Sequence, residues 1–212
     1  MPACWATWPG RWWREGGSMK KKSSMWALIA VLAVIGIAVG SRLLVWSGDG
    51  HAAIGGPFTL TDHNGRTVTE KSFAGRFMLI YFGYTYCPDV CPTALGVTSV
   101  ALDGLASAER AKLVPVFITV DPERDTAAVM KDYVTAFAPD MVGLMGTPEQ
   151  TNAAKKAFKV YAEKAKGGDG ENYTVDHSSI LYLMGPDGRF IQHFPHGTNA
   201  DELLAGLKKH LK

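Results

Sequence analysis

Two continuous apolar runs constrain the fold of this chain more than anything else in it. FMLIYFGY (77–84) and LVPVFITV (113–120) carry no charge and no polar alternation, the pattern of strands covered on both faces. Such strands need helices above and below them. TALGVTSVALDGL (93–105) reads as one, and DTAAVMKDYVTAF (125–137) as a second, with Asp125 available as its cap. VGLM (142–145) reads as a short strand and TPEQTNAAKKAF (147–158) as a helix capped by Thr147, with Pro148 at its first position. SSILYLMGPDGRFIQHF (178–194) is then two strands joined through Pro186-Asp187-Gly188, and NADELLAGLKKHLK (199–212) a last amphipathic helix. FTLTDHNGRTVT (58–69) reads as a hairpin on a two-residue Asn64-Gly65 turn. The expected fold is an α/β sandwich around a central mixed sheet, spanning 57–212. A domain of that size buries a core without disulfide help.

The first quarter is physically different, since all six tryptophans lie at or before Trp46. Lys20, Lys21 and Lys22 precede an apolar run that extends from Met25 to Trp46, interrupted by Ser41 and Arg42. An arginine near a helix end can reach the interface, so 25–46 is expected to be a single transmembrane helix. Trp26 and Trp46 stand about 30 Å apart along such a helix, one at each interface. The basic residues keep 1–24 in the cytoplasm and put the rest outside, in the periplasm of a bacterial-type inner membrane. A cleaved signal peptide with its site at Ala38-Val39-Gly40 is the competing reading. The uncleaved anchor is preferred because apolar residues and Trp46 continue beyond that site. Met19, directly before the lysines, is the expected start, which leaves 1–18 and Cys4 untranslated. WSGDGHAAIGGP contributes a flexible glycine-rich linker over 47–56. With 22 Lys and Arg against 20 Asp and Glu, the chain offers no electrostatic case for nucleic acid.

Only three cysteines occur, and two of them, Cys87 and Cys91, sit between the first buried strand and the helix that follows. That order resembles thioredoxin. On the first turn of a helix, i and i+4 thiols share a face near unpaired N–H groups and the positive end of the dipole, which favours thiolate. Three uses compete. A staple closing so short a loop adds only roughly 2 kcal/mol. Redox exchange is familiar for thioredoxin-type dithiols at this point. The wider CxxxC spacing also suits two thiolates on one metal ion, with a third ligand from elsewhere. His177, just ahead of a predicted strand, is the candidate, and thioredoxins place a cis-proline at this point. Two thiolates and an imidazole suit copper, Cu(I) above all, with zinc the alternative metal. Asp176 is the candidate to orient the imidazole. On residue chemistry alone, an ordinary loop histidine at 177 stands beside this reading.

Taken together, YFGYTYCPDVCP (81–92), VDPERDT (120–126) and DHSS (176–179) resemble the SCO/SenC family of copper-binding proteins. The likeness runs from about Pro57 to the C-terminus and shows no departure in these motifs. It implies a thioredoxin-like fold in which Cys87, Cys91 and His177 bind Cu(I) or Cu(II). It also implies a chaperone, not an enzyme, that helps assemble the dinuclear copper centre of cytochrome c oxidase subunit II. Some members are thought to reduce the target's cysteines, so a redox-active Cys87–Cys91 disulfide and an auxiliary thiol-disulfide reductase activity stay in view. Other periplasmic copper chaperones or thiol reductases are the further partners implied.

The remaining candidates read as structural. Asp121, Glu123 and Asp125 are expected to cap the next helix instead of holding a hard cation. His193 and His196 read as surface histidines, and Met141 and Met145 as core packing. A peroxiredoxin ranks last, because Tyr84 stands where its threonine belongs. Tyr81, Phe82, Tyr84 and Tyr86 line the sheet or shield the cysteines.

Overall fold

The computed structural model describes residues 26, 29–36, 54–165 and 172–212, and the chain divides into two compact units, Met1–Ala52 and Ala53–Lys212. In the first unit, residues 29–36 form a helix, α1, with exposed apolar side chains. Among the described residues, no helix is long and apolar enough to cross a membrane. The remainder of the expected 25–46 anchor, segment 1–24 and most of the linker lie outside the described residues.

The second unit is built on a mixed sheet of seven strands in the order β2-β1-β5-β4-β3-β8-β9. These are β1 (Thr59–Asp62), β2 (Thr67–Thr69), β3 (Phe77–Gly83), β4 (Leu113–Thr119), β5 (Val142–Met145), β8 (Leu181–Met184) and β9 (Phe190–Phe194). The two apolar runs are the centre. β3 and β4 pair in parallel from Phe77 opposite Leu113 to Gly83 opposite Thr119. β5 joins β4 in parallel, while β8 pairs antiparallel with β3. Two further strands, β6 (Ala162–Lys164) and β7 (Val175–His177), pair only with each other as a separate antiparallel ribbon. That ribbon is absent from the expectation, because each of its strands is only three residues long, too short to show a period.

Side-chain alternation along β3 divides the core between two faces. Phe82 turns to one side and meets Phe158 and Tyr182. Phe158 ends helix α5 (Pro148–Phe158), which has the expected Thr147 cap and Pro148 at its start. Tyr81 turns to the other side and stacks on Phe117, which in turn packs on Tyr133 of helix α4 (Ala127–Phe137). Helix α2 (Val90–Asp103) lies on that second side between α4 and helix α6 (Ala200–Lys208), whose cap is Asn199. A short helix α3 (Ser107–Arg110) leads into β4. Burying each of these large side chains contributes about 1.5–3 kcal/mol, so β3 is held by core on both faces and by hydrogen bonds on both edges. The last residues of the expected linker belong to this body too, since the Gly55 N–H donates to the Ala157 carbonyl at 2.9 Å.

The first hairpin is real, but its loop differs from the expected two-residue turn. Thr61 pairs with Thr67, and Gly65 takes the left-handed conformation (φ 83°). The Asp62 carboxylate accepts from the N–H groups of Asn64 and Arg66, both at 2.9 Å, and from Arg66 Nε at 2.8 Å. It thereby replaces a main-chain acceptor and makes room for one more residue. Burial alone would raise the Asp62 pKa, but the bonds from Arg66 and Asn64 outweigh it and hold the carboxyl below its ordinary 3.8. A depressed folded-state pKa stabilises above the unfolded value and is lost as pH falls through the folded one. Urea denaturation should therefore show a loss of stability below about pH 3.8 that Asp62→Asn removes, with the variant weaker at pH 7 by about 2 kcal/mol.

Candidate metal centre

The cysteines stand where β3 gives way to α2, and the two thiols do not share a helical turn as the sequence suggested. Cys87 precedes the helix, whose N-cap is Asp89 and whose first residues are Val90 and Cys91. Pro88 explains this, because the residue before a proline is driven out of the helical region. Pro92 is tolerated at the start of the helix, where its missing N–H would have had no partner. Asp89 makes no side-chain capping bond. Cys87 Sγ takes that role, accepting from the Cys91 N–H at 3.5 Å. The environment lowers its pKa to about 4, first through the Cys91 thiol and, against the opposing effect of burial, through the N–H groups of Asp89 and Cys91. Cys91 is fully buried, and its pKa is pushed far up, first by the bond to Cys87 and then by burial. Neither is in a disulfide. The pair therefore holds one thiolate and one thiol.

Cys91 Sγ occupies space that a side chain at Gly83 would fill. A Cβ at that position would lie 2.7 Å from the sulfur and 3.0 Å from both Phe117 and Tyr81. Glycine at the end of β3 is thus required by the close approach of the thiol.

His177 is the last residue of β7, not a loop residue, and sits opposite Ala162. Its Nε2 is 3.3 Å from Cys91 Sγ. Its Nδ1 is 3.2 Å from the Ser178 carbonyl, which can only accept, so in the neutral ring Nδ1 carries the proton and Nε2 presents a lone pair. Tyr81 and Tyr84 pack edge-on against the imidazole, with ring centroids 6.1 and 5.8 Å away. The serines that follow lock the strand in place. Ser178 exchanges bonds with Tyr161, its N–H to the carbonyl at 3.0 Å and its hydroxyl accepting from the amide at 3.1 Å. Ser179 Oγ meets Tyr81 Oη at 2.9 Å. Asp176 does not orient the ring, because strand alternation exposes it, and the Ser178 carbonyl does so instead.

The donor atoms of Cys87, Cys91 and His177 all lie within 4.8 Å of one another. Donors on opposite sides of one ion stand at most about 4.6 Å apart when each bond is about 2.3 Å. The trio is therefore already near the span a metal ion needs, and it combines soft sulfur with imidazole, which suits copper.

The acidic turn does not cap helix α4. Thr126 caps it, accepting from the Val129 N–H. Asp125 is buried and accepts from the Thr85 N–H at 3.1 Å, the Thr85 hydroxyl at 2.6 Å and the Thr119 hydroxyl at 2.5 Å, tying the cysteine loop to the end of β4. Desolvation raises its pKa in spite of those bonds. Asp121 pairs with Arg124 and accepts from Tyr173 Oη, while exposed Glu123 pairs with Lys164. His193 and His196 are surface residues, and Met141 is core. Tyr81, Phe82 and Tyr84 are buried, whereas Tyr86 is 55% exposed beside Cys87. Thr85, Thr119, Tyr173 and Gly83 escaped the sequence reading; of these only the glycine, at a strand end beside a cysteine pair, carried a local signal.

Against known proteins, a SCO1/SenC profile matches residues 47–212. The chain belongs to the SCO1/SenC family. Among SCO1/SenC relatives, it is 41% identical over 164 residues to the mitochondrial SCO1 homolog of Homo sapiens, covering 77% of this chain and 54% of that protein. It thus spans about half the length of that relative. The SCO2-like protein of Rickettsia felis is 34% identical, over 90% of this chain and 99% of its own. The structure of Bradyrhizobium japonicum ScoI with copper bound matches with 47% identity and a TM-score of 0.68, covering 74% of this chain and 99% of that one. Copper-bound ScoI of Arabidopsis thaliana matches at 39% identity and a TM-score of 0.69, covering 75% and 98%.

The unequal thiols make a direct prediction. In the reduced protein, iodoacetamide should modify Cys87 at pH 6 at nearly its full thiolate rate, because its pKa is about 4. Cys91 should stay unmodified through pH 8, as peptide mapping by mass spectrometry would show.

Proposed function

We propose that this chain is a membrane-anchored copper chaperone. In this reading it holds Cu(I) or Cu(II) through Cys87, Cys91 and His177 and passes it to the dinuclear copper centre of cytochrome c oxidase subunit II. The observation that carries the reading is the convergence of two thiols and one imidazole within 4.8 Å, from elements far apart in the chain. Copper is the cargo, and the residues are prepared for it. Cys87 is already thiolate at neutral pH, His177 offers Nε2 in the right tautomer, and only Cys91 has a proton to give up. Two thiolates favour the cuprous ion, and the imidazole supports the cupric one. The basic cluster at Lys20–Lys22, the apolar run to Trp46 and the tryptophans at its ends support an anchor at 25–46 with the domain on the periplasmic side.

A second reading rests on the lowered Cys87 pKa. As a thiol reductant, the Cys87 thiolate attacks a partner disulfide, forming a mixed disulfide and releasing one partner thiolate. Cys91, giving up its proton, then attacks the Cys87 sulfur and frees the second partner thiolate. The partner is reduced by two electrons, and a Cys87–Cys91 disulfide is left behind. The ligand set for copper and the dithiol for exchange are the same sulfurs, so His177 separates the two roles.

Anaerobic Cu(I) titration of the reduced chain should give one ion per molecule, with X-ray absorption reporting two sulfur neighbours and one nitrogen. His177→Ala should weaken copper binding by at least about 100-fold, beyond the roughly 10–100-fold typical of outer partners, while dithiol oxidation persists. Unchanged copper affinity in that variant would overturn the ligand assignment.

A further inference from the structure

The two halves of the candidate centre come from parts of the fold that share no sheet. Cys87 and Cys91 follow β3 at the middle of the seven-stranded sheet, whereas His177 ends a strand that pairs only with β6. On its C-terminal side His177 is tied to the body through Ser179, whose Oγ meets Tyr81 Oη at 2.9 Å, and through β8, where Leu181 pairs with Tyr81. On its other side no backbone pairing joins the ribbon to the seven-stranded sheet, and side chains fasten it there.

Arg124, in the turn between β4 and α4, stands at that fastening. Its Nη1 donates to the Tyr173 carbonyl at 2.9 Å, and its guanidinium lies 3.6 Å over the Tyr173 ring, two residues before β7. The same guanidinium is 5.0 Å from the ring of Tyr86 and 5.6 Å from that of Tyr84, both in the cysteine loop. Its Nε donates to Asp121 Oδ2 at 2.5 Å, and Asp121 Oδ1 accepts from Tyr173 Oη at 2.7 Å. One cation thus touches the loop that carries the cysteines and the segment that leads to the histidine. A second link, from the Val175 N–H to Tyr84 Oη at 3.1 Å, lies beside it. The Lys164–Glu123 pair is exposed on both sides and adds little.

We propose that Arg124 is a positioning residue of the metal centre, fixing His177 against the cysteine pair by fastening the β6–β7 ribbon to the cysteine loop. The proposal rests on the reading of Cys87, Cys91 and His177 as copper ligands. Arginine is required because its planar fork bonds Asp121 and the Tyr173 carbonyl at once while its face stacks on the ring. Lysine keeps the charge and loses both geometries.

The test compares full-length Arg124→Met and Arg124→Lys with wild type, His177→Ala and Arg110→Met. Arg110 is a partly buried arginine engaged instead with Asp140 and the Leu113 carbonyl. Three readouts are taken: Cu(I) affinity by competition, nitrogen hyperfine coupling in the Cu(II) paramagnetic resonance spectrum, and amide exchange of the copper-free protein. Both Arg124 variants should lose at least about 10-fold in affinity, as outer partners of metal ligands do, together with the nitrogen coupling. Exchange of the Val175 amide should quicken at least 10-fold, while the Ile80 amide in β3 keeps its wild-type rate. Arg110→Met should match wild type in all three. Wild-type affinity and nitrogen coupling in Arg124→Met, or an unchanged Val175 rate, would overturn the proposal. If wild type and His177→Ala bind copper alike, the ligand reading itself fails, and the exchange measurement, which needs no copper, still judges the fastening. Should Arg124→Met not fold, Tyr173→Leu removes the same stack from the other side, with the same outcomes deciding.

Discussion

The centre depends on the rigidity of β3. That strand is paired on both edges and buried on both faces, with Phe82 against α5 and Tyr81 against the α4 side. Its last residue, Gly83, can shift little, and Cys91 Sγ rests against it. A thiol is placed by fully buried core at the end of a central strand. Everything else is arranged around that sulfur: Cys87 ahead of the helix, the imidazole on one side, and the Tyr81 ring beside it.

Two hydroxyl and carboxylate systems then hold the loop from beneath. Asp125 is a carboxylate removed from water, and its three donors come from Thr85 and Thr119. Asp121 and Arg124 form the neighbouring ion pair against Tyr173. A buried carboxylate is costly unless its lone pairs are filled, and here the donors come from the cysteine loop and the adjoining strand end. The turn that looked like a row of helix caps holds two separate anchors, Asp121 and Asp125.

Much of this was legible from the chain, and the limits have physical causes. The uncharged runs at 77–84 and 113–120 called for strands covered on both faces, and they are β3 and β4, paired in parallel. Thr147 and Pro148 announced α5 because their preferences are local. The β6–β7 ribbon was not legible, since it is fastened by contacts to Arg124 and Tyr84 and not by its own pattern. Asp125 was misassigned because nothing local distinguishes a carboxylate that caps from one that turns inward; Thr126, one residue later, fills the cap. Cys87, Cys91 and His177 were singled out as candidates by residue type and motif, and their donor atoms come together in the structure, but the tautomer and the inequality of the thiols needed coordinates. The expected anchor at 25–46 lies mostly outside the described residues.

Cys87 begins helix α2 in the way an aspartate or serine normally would, with a sulfur in place of oxygen. An anionic sulfur accepts such bonds well, and one that has become part of a disulfide, or has been alkylated, accepts them poorly. Chemistry at this atom therefore changes how firmly the helix is seated at its first turn. Oxidation would fray that end, and the backbone would report the electronic state of the sulfur to any surface that α2 presents.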